Sequence, residues 1–142
     1  MTDPIRAIVD DLDAAFANDG ILLLSANERE RTLSVLHFSE EVNEEMRMRG
    51  SFPFGVGITG RAVERRTPMI VNDAHLDPRG VAFSDPPRPE ALLVFPIVRD
   101  GTIVGCLDLW RNGEGPQFGE TDLDQLRPFA ERLAAVMERP VL

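Results

Sequence analysis

A small number of residues in this chain could take part in chemistry. The clearest pattern is Gly55-Val56-Gly57-Ile58-Thr59-Gly60, which fits the dinucleotide-binding sequence GxGxxG letter for letter. The chain also contains one cysteine, Cys106, and two histidines, His37 and His75. Every one of its 15 basic residues is an arginine, so a Schiff base on a lysine is impossible.

The glycine pattern is better explained by backbone structure than by nucleotide binding. A dinucleotide site needs a buried parallel strand before the first glycine and a long crossover helix after it. Here Phe52-Pro53-Phe54 is short and broken by proline, and the following helical stretch has only about two turns before further strands. We therefore predict that the glycines permit positive φ and let a short helix start close to the sheet.

The other reactive residue types also have ordinary structural explanations. A single cysteine excludes an intramolecular disulfide and a zinc site built from several thiolates, and a buried strand cysteine is typically a small apolar filler. His37 is predicted to be a half-buried strand residue. The sequence shows no pairing of a nucleophile with a base, no metal-ligand spacing and no phosphate loop, so we expect neither a catalytic residue nor a metal site.

Asp108 is the most informative carboxylate, because it falls inside an apolar strand. An acid on a covered strand must be paired, hydrogen-bonded or exposed to a polar cavity. Arg111, Arg88 and Arg79 are its candidate partners, and a strand-end aspartate that reaches water is the alternative. Simple alternation along this strand predicts two faces: Ile103, Gly105, Leu107 and Leu109 on one, and Val104, Cys106, Asp108 and Trp110 on the other.

Hydrophobic periodicity predicts an α+β chain that forms one domain over residues 1–142. Its parts are an N-terminal helix within 1–18, a sheet and pocket region over 21–111 and a C-terminal helix over 120–138, which Pro128 should bend. The predicted strands are 21–25, 32–38, 51–54, 69–71, 92–98 and 102–110, with helices after Ser39 and over 58–65.

Turn chemistry supports two of these connections. Asp100-Gly101 is a strong signal for a two-residue hairpin between the last two strands. Residues 72–90 are polar, hold four of the eleven prolines and have no usable periodicity. A connection of that length in one domain is a functional loop or a disordered one.

Charge and composition limit the classes of molecule that this chain could bind. The formal net charge is −9, so phosphate backbones and anionic lipid are repelled, and we expect neither nucleic acid nor a membrane surface as a partner. No apolar run approaches the roughly 20 residues that a membrane-spanning helix needs. The acidic N-terminus is unlike a secretion signal, which favours a cytoplasmic location.

Three stretches, in this order and spacing, resemble the GAF family of sensory domains from bacterial signalling proteins. They are FPFGVGITGRAVERRTPMIVND, ALLVFPIVRDGTIVGCLDLW and FGETDLDQLRPFAERLA. The resemblance implies a five- or six-stranded, mostly antiparallel sheet. It also implies N- and C-terminal helices on one face, and short helices, loops and a pocket on the other.

The resemblance further implies a non-catalytic sensor that binds an unknown small molecule under residues 72–90 and signals through its terminal helices. We expect no built-in cofactor, a homodimer through those helices, and a kinase, cyclase, phosphatase or transcription output module, as in two-component systems. Whether the chain stands alone or belongs to a longer protein stays open. The candidate ligand-binding residues are Phe54, His75, Phe83, Phe95 and Asp108.

Several alternatives remain. One is a dimerisation scaffold with a degenerate pocket, pairing through Ile5–Phe16 and Leu123–Met137. Another is a small redox or nucleotide-dependent enzyme, although the methionine sulfoxide reductases of the family use several cysteines and this chain has one. His75 could serve as a haem or tetrapyrrole ligand. Cyclic-nucleotide binding is disfavoured, because only Phe118 and Asp122 match the family signature for it.

Overall fold

The computed structural model describes residues 3–38, 51–74, 90–113 and 117–137. Its helices are α1 (Asp3–Ala15), α2 (Gly57–Arg65) and α3 (Glu120–Val136). Its strands are β1 (Gly20–Asn27), β2 (Thr32–Phe38), β3 (Ser51–Pro53), β4 (Met69–Val71), β5 (Glu90–Arg99) and β6 (Thr102–Asn112). The helix predicted after Ser39 lies outside the described residues.

The six strands form one sheet in the order β3-β2-β1-β6-β5-β4, and every neighbouring pair is antiparallel. This confirms the predicted α+β architecture with a mostly antiparallel sheet. A doubly wound dinucleotide fold requires parallel strands joined by crossover helices, so this topology is incompatible with it.

Two apolar clusters cover the two faces of the sheet. On one face, here called the helical face, α1 and α3 pack over the strands. The buried residues that these helices contribute are Ile5, Ile8, Val9, Leu12, Leu126, Ala130 and Leu133. On the opposite face, here called the Asp108 face, α2 contributes Ile58, Ala62 and Val63.

The central strands β1 and β6 are buried on both faces. Leu23 belongs to the helical face and Leu24 to the Asp108 face, and both side chains are at most 2% exposed. A strand covered on both faces reads as a continuous apolar run, which is why β1 shows no alternation. The interpretation of this segment as a central strand is confirmed.

Simple alternation fails in one part of β6. The pairing with β5 shifts between Ile97 and Val98, because Ile97 pairs with Gly105 whereas Val98 pairs with Ile103. Val104 is the extra residue of this β-bulge and turns toward the helical face, while Ile103 turns toward the Asp108 face. The predicted facing of these two residues is therefore wrong, and beyond the bulge the predicted alternation holds.

Both glycine-containing turns have the predicted backbone conformation. Gly55 and Gly57 have φ of 80° and 73°, which is the left-handed region that glycine tolerates. Gly60 lies so close to the chain before α2 that an added Cβ would be 3.0 Å from the Pro53 carbonyl oxygen. At the hairpin, Asp100 and Gly101 both have positive φ, as a two-residue turn of this class requires.

The terminal helices contact each other as well as the sheet. An ion pair joins Arg132 of α3 to Asp11 of α1 at 2.8 Å. Helix α3 continues through Pro128. Among the described helices, none is both long and apolar enough to cross a membrane.

Arg111, near the end of β6, contacts the chain just after α1 and just before α3. Its Nε donates to the Ala17 carbonyl at 2.8 Å, just after α1, and its NH1 donates to the Gln117 carbonyl at 3.1 Å. The guanidinium also lies 4.3 Å from the Phe118 ring centroid and 3.5 Å from Asp122 Oδ1 in the first turn of α3. Only a planar group with several donors can make all these contacts at once.

We predict that Arg111→Lys destabilises the protein by about 1–3 kcal/mol, because an ammonium can replace one carbonyl contact but not the fork and the stacking together. Urea unfolding measures the effect. Arg127→Lys is the matched control, because that guanidinium also lies over a phenylalanine ring, 5.4 Å from Phe95, but is exposed. Equal destabilisation by the two substitutions would show that the carbonyl contacts of Arg111 contribute nothing.

Candidate functional site

Asp108 is the one charged side chain that is buried among the described residues, with 3% of its surface exposed. Thr59 donates its hydroxyl hydrogen to Asp108 Oδ2 at 2.5 Å. The Cys106 thiol donates to Oδ1 at 3.4 Å, a weak contact that occupies the second oxygen only partly. Two carboxylate oxygens can accept about four hydrogen bonds, of which the described residues supply these two.

Local sequence explains how α2 brings Thr59 to this carboxylate. The glycine turn starts the helix at Gly57, which places Thr59 as the third helical residue. Val56, which precedes the helix, makes no side-chain capping bond to it. The Thr59 hydroxyl thereby reaches a carboxylate that is 49 positions away in sequence.

The Asp108 carboxyl is close to its ionisation midpoint at neutral pH. The pKa of Asp108 is raised to about 7, chiefly by burial and to a smaller extent by the charge of Glu90, while the hydrogen bonds from Thr59 and Cys106 act in the opposite direction. A carboxyl with a pKa near 7 can exchange a proton when a charged group approaches. Such perturbed groups occur both at binding sites and in structural networks.

Unlike the Asp108 carboxyl, the Cys106 thiol does not ionise near neutral pH. The thiol is fully buried, and burial, followed by the neighbouring Asp108 charge and the hydrogen bond to it, raises the pKa of Cys106 well above its usual value. The thiolate is the nucleophilic form of cysteine. Cys106 is therefore an unreactive neutral thiol whose role here is to pack and to contact Asp108.

The structure describes three of the five residues that were predicted to bind a ligand, and it places them on two different faces of the sheet. Asp108 and Phe54 are on the same side of the sheet, where Phe54 packs against the apolar cluster of the Asp108 face. Phe95 pairs with Leu107 and belongs to the cluster under α1 and α3. The expectation that Phe95 shares a pocket with Asp108 is therefore wrong in its strand facing. His75 and Phe83 lie outside the described residues.

One of the predicted arginine partners of Asp108, Arg111, also needs correction. Arg111 contacts the helix ends described above, because it lies at the far end of β6 beyond Trp110. Arg79 and Arg88 lie outside the described residues. The alternative of an aspartate reaching water is wrong as well, because the side chain is almost completely buried. Sequence reasoning missed Thr59, whose only local signal is a hydroxyl in the first turn of a short helix.

A separate cavity of about 190 Å³ opens on the helical face, lined by Val9, Asp10, Asp13, Ile21 and His37. His37 is partly exposed, as predicted for a half-buried strand residue. Burial lowers the pKa of His37, the charges of Asp10 and Asp13 oppose that effect, and Arg6 adds to it. Within the described ranges, no group of three or more His, Cys, Asp or Glu side chains could hold a metal ion.

Solved structures with this fold come from several kinds of protein. The GAF domain/HD domain protein of Geobacter sulfurreducens has a TM-score of 0.78 at 14% identity, covering 94% of this chain and 89% of that one. The GAF domain of a two-component sensor histidine kinase from Bacillus halodurans has a TM-score of 0.72 at 22% identity, covering 95% and 91%. Both likenesses show the fold.

An enzyme is also similar. Free methionine-R-sulfoxide reductase from Neisseria meningitidis, solved with its substrate, has a TM-score of 0.74 at 25% identity, covering 95% of this chain and 78% of that one. No curated protein matches the sequence significantly.

The antiparallel sheet, with paired terminal helices on one face and a buried carboxylate under a short helix on the other, defines a small α+β domain. Residues 5–138 match the GAF domain, which is nearly the whole chain. The chain belongs to the GAF family, whose members are generally sensory or regulatory domains of signalling proteins.

We predict that the stability of the wild-type protein relative to Asp108→Asn falls as pH rises. In the unfolded chain this carboxyl ionises near pH 4, whereas in the folded protein its pKa is about 7. Between these values the folded state holds the proton more tightly, so stability is lost as pH rises and levels off above about pH 7. The relative loss should be about 2–4 kcal/mol.

Urea unfolding of both proteins between about pH 4 and pH 8 measures this difference, because the other titrating groups are the same in both. Parallel stability curves would show that Asp108 has an ordinary carboxyl pKa in the folded protein.

The Thr59 hydroxyl should tune the same carboxyl. Because the hydroxyl stabilises the ionised form, Thr59→Val is expected to raise the pKa of Asp108 further, whereas Thr59→Ser keeps the donor and should change it little. Carbon-13 NMR of the aspartate carboxyl measures both titrations. The same midpoint in all three proteins would mean that the hydrogen bond has no electrostatic role.

Proposed function

We propose that this chain is a non-catalytic sensory domain that binds a small molecule on the Asp108 face and transmits its occupancy through the terminal helices. The observation that carries the proposal is the buried carboxylate of Asp108, to which the described part of the chain supplies two hydrogen-bond donors, one of them a weak thiol contact. Burying a charge is costly unless it is compensated, and a bound ligand that donates to this carboxylate would add compensation. Binding beneath residues 72–90 is part of the same proposal.

The charge around Asp108 favours one class of ligand. The charge of Glu90 raises the pKa of Asp108, and the chain as a whole carries a net charge of −9. A phosphate or a second carboxylate would be repelled there, whereas an ammonium or another N–H group would be attracted. The ligand should therefore present a positive or donor group to Asp108, which disfavours a cyclic nucleotide docked through its phosphate.

The single thiol supports the non-catalytic part of the proposal. The reductase from Neisseria meningitidis acts on a free amino acid derivative and shares the fold at 25% identity. Cys106 is the only cysteine in the chain, it is fully buried, and its raised pKa keeps it neutral. The chain therefore has neither the thiolate nor the second cysteine that a disulfide relay uses.

The similar structures support a role in signalling. One is the GAF domain of a sensor histidine kinase, and another comes from a protein that also has an HD domain. By analogy, we infer that the terminal helices connect this domain to an output module or to a second copy. Most of their outward residues are charged or small, as in Asp10, Asp124 and Ala135.

Native mass spectrometry of freshly purified protein, kept unheated and undialysed, tests ligand binding. We expect a stoichiometric extra mass that disappears on denaturation and is lost in Asp108→Asn. Asp124→Asn, which removes an exposed carboxylate from α3, is the matched control and should retain the mass.

A bare wild-type mass would contradict a copurifying ligand and favour the dimerisation scaffold, which the same spectrum would identify as a dimer. An extra mass retained by Asp108→Asn would place the ligand elsewhere. Turnover of L-methionine-R-sulfoxide by the purified protein would contradict the non-catalytic assignment.

A further inference from the structure

The side chain of Asn72, directly after β4, is bonded to the chain just before α3. Its Nδ2 donates to the Phe118 carbonyl at 3.1 Å, and the Phe118 N–H donates to Asn72 Oδ1 at 2.9 Å. These two residues are 46 positions apart in sequence. A side-chain amide that bonds both the N–H and the carbonyl of one residue fixes its orientation as well as its position.

The residues flanking Asn72 belong to the other side of the sheet. Val71 and Ala74 are buried in the apolar cluster of the Asp108 face, which also contains Cys106, the residue whose thiol contacts Asp108. Residues 71–74 therefore contact the candidate ligand side through two side chains and the start of α3 through Asn72. A shift of this short segment has to move both sets of contacts, because packed interiors do not deform freely.

Phe118 is the point where both terminal helices meet. It precedes Gly119, the N-cap residue of α3, and is 4% exposed. Its ring stacks with Phe16 at the end of α1, with 6.4 Å between centroids, and lies under the Arg111 guanidinium. A displacement of Phe118 therefore acts on the start of α3 and the end of α1 together.

We propose that Asn72 is the positioning residue that couples the Asp108 face to the terminal helices. The inference rests on the proposed function, because it assigns the route by which occupancy of that face reaches the helices. A change in the contacts of Asp108 alters the packing of the apolar cluster that contains Val71 and Ala74, and residues 71–74 shift as a result. The Asn72 side chain then moves Phe118 and the first turn of α3. Coupling of this kind is a free energy shared by two sites.

A four-protein cycle tests the coupling without any ligand. Amide hydrogen exchange at the N-cap and first turn of α3, residues 119–123, is measured by NMR in the wild type, Asp108→Asn, Asn72→Ala and the double variant. Asp108→Asn supplies the change of state on the ligand side. We expect it to alter these exchange rates about fivefold with Asn72 present and to have little effect without it.

Three controls separate coupling from a general loss of stability. Asn27→Ala removes an asparagine whose Oδ1 accepts from the Glu30 N–H in the β1–β2 turn, and it should leave the response to Asp108→Asn intact. Amides of the β1–β6 pair report global stability within the same spectra. Asn72→Asp keeps the acceptor for the Phe118 N–H, so it should fold and restore part of the response.

An equal response of α3 to Asp108→Asn with and without Asn72 would overturn the proposal, and so would the absence of any response in the wild type. Either result leaves the mass-spectrometric test of ligand binding unaffected. Conversely, a bare mass in that test would reject the proposed ligand while the cycle could still show the physical coupling. The two failures are therefore distinguishable.

Discussion

Strands β1 and β6 must be covered on both faces, and the placement of the other elements follows from this constraint. Their side chains are apolar on both sides, so neither strand is stable at a sheet edge or on a solvated face. Helices α1 and α3 cover one face, and α2 packs on the other. Leaving either face open would expose a large contiguous apolar surface to water.

Asp108 lies on β6, one of the two strands that are covered on both faces. A carboxylate on a strand with two covered faces cannot reach water, and the hydrogen-bond donors that the described residues supply to it are one hydroxyl and one thiol. The resulting pKa near 7 follows from burial rather than from a special catalytic arrangement. The same burial keeps Cys106 neutral, so one environment makes the carboxyl responsive and the thiol inert.

The two faces of the sheet differ in the residues and helices that they carry. The Asp108 face has the polar group that a ligand would meet, whereas the helical face has paired helices linked by Arg132 and Asp11. Arg111 and Asn72 both cross from the sheet to the ends of those helices, and they meet at Phe118. A GAF fold accommodates sensors and at least one reductase, so these particular side chains, more than the fold, distinguish the possible functions.

Local patterns in the sequence were enough to predict most of the elements and their turns. The turns at Asp100-Gly101 and Gly55–Gly60 need positive φ, which glycine adopts readily, so the residue types themselves indicate the turns. The unbroken apolar run of β1 likewise indicates a strand with two covered faces. These features depend on neighbouring residues. Asp108 could likewise be singled out, because a lone acid in an apolar strand is informative without any partner.

Only the tertiary structure decided which residues surround that acid. The bulge at Val104 exchanged the facing of two residues in β6, and Phe95 faces the helices rather than Asp108. Side-chain facing has a period of two, so a shift of one residue reverses it, and no local pattern marked the bulge. Thr59 is 49 positions away from Asp108 in sequence. Its role depends on how α2 packs on the sheet, a long-range contact that neighbouring residues do not encode.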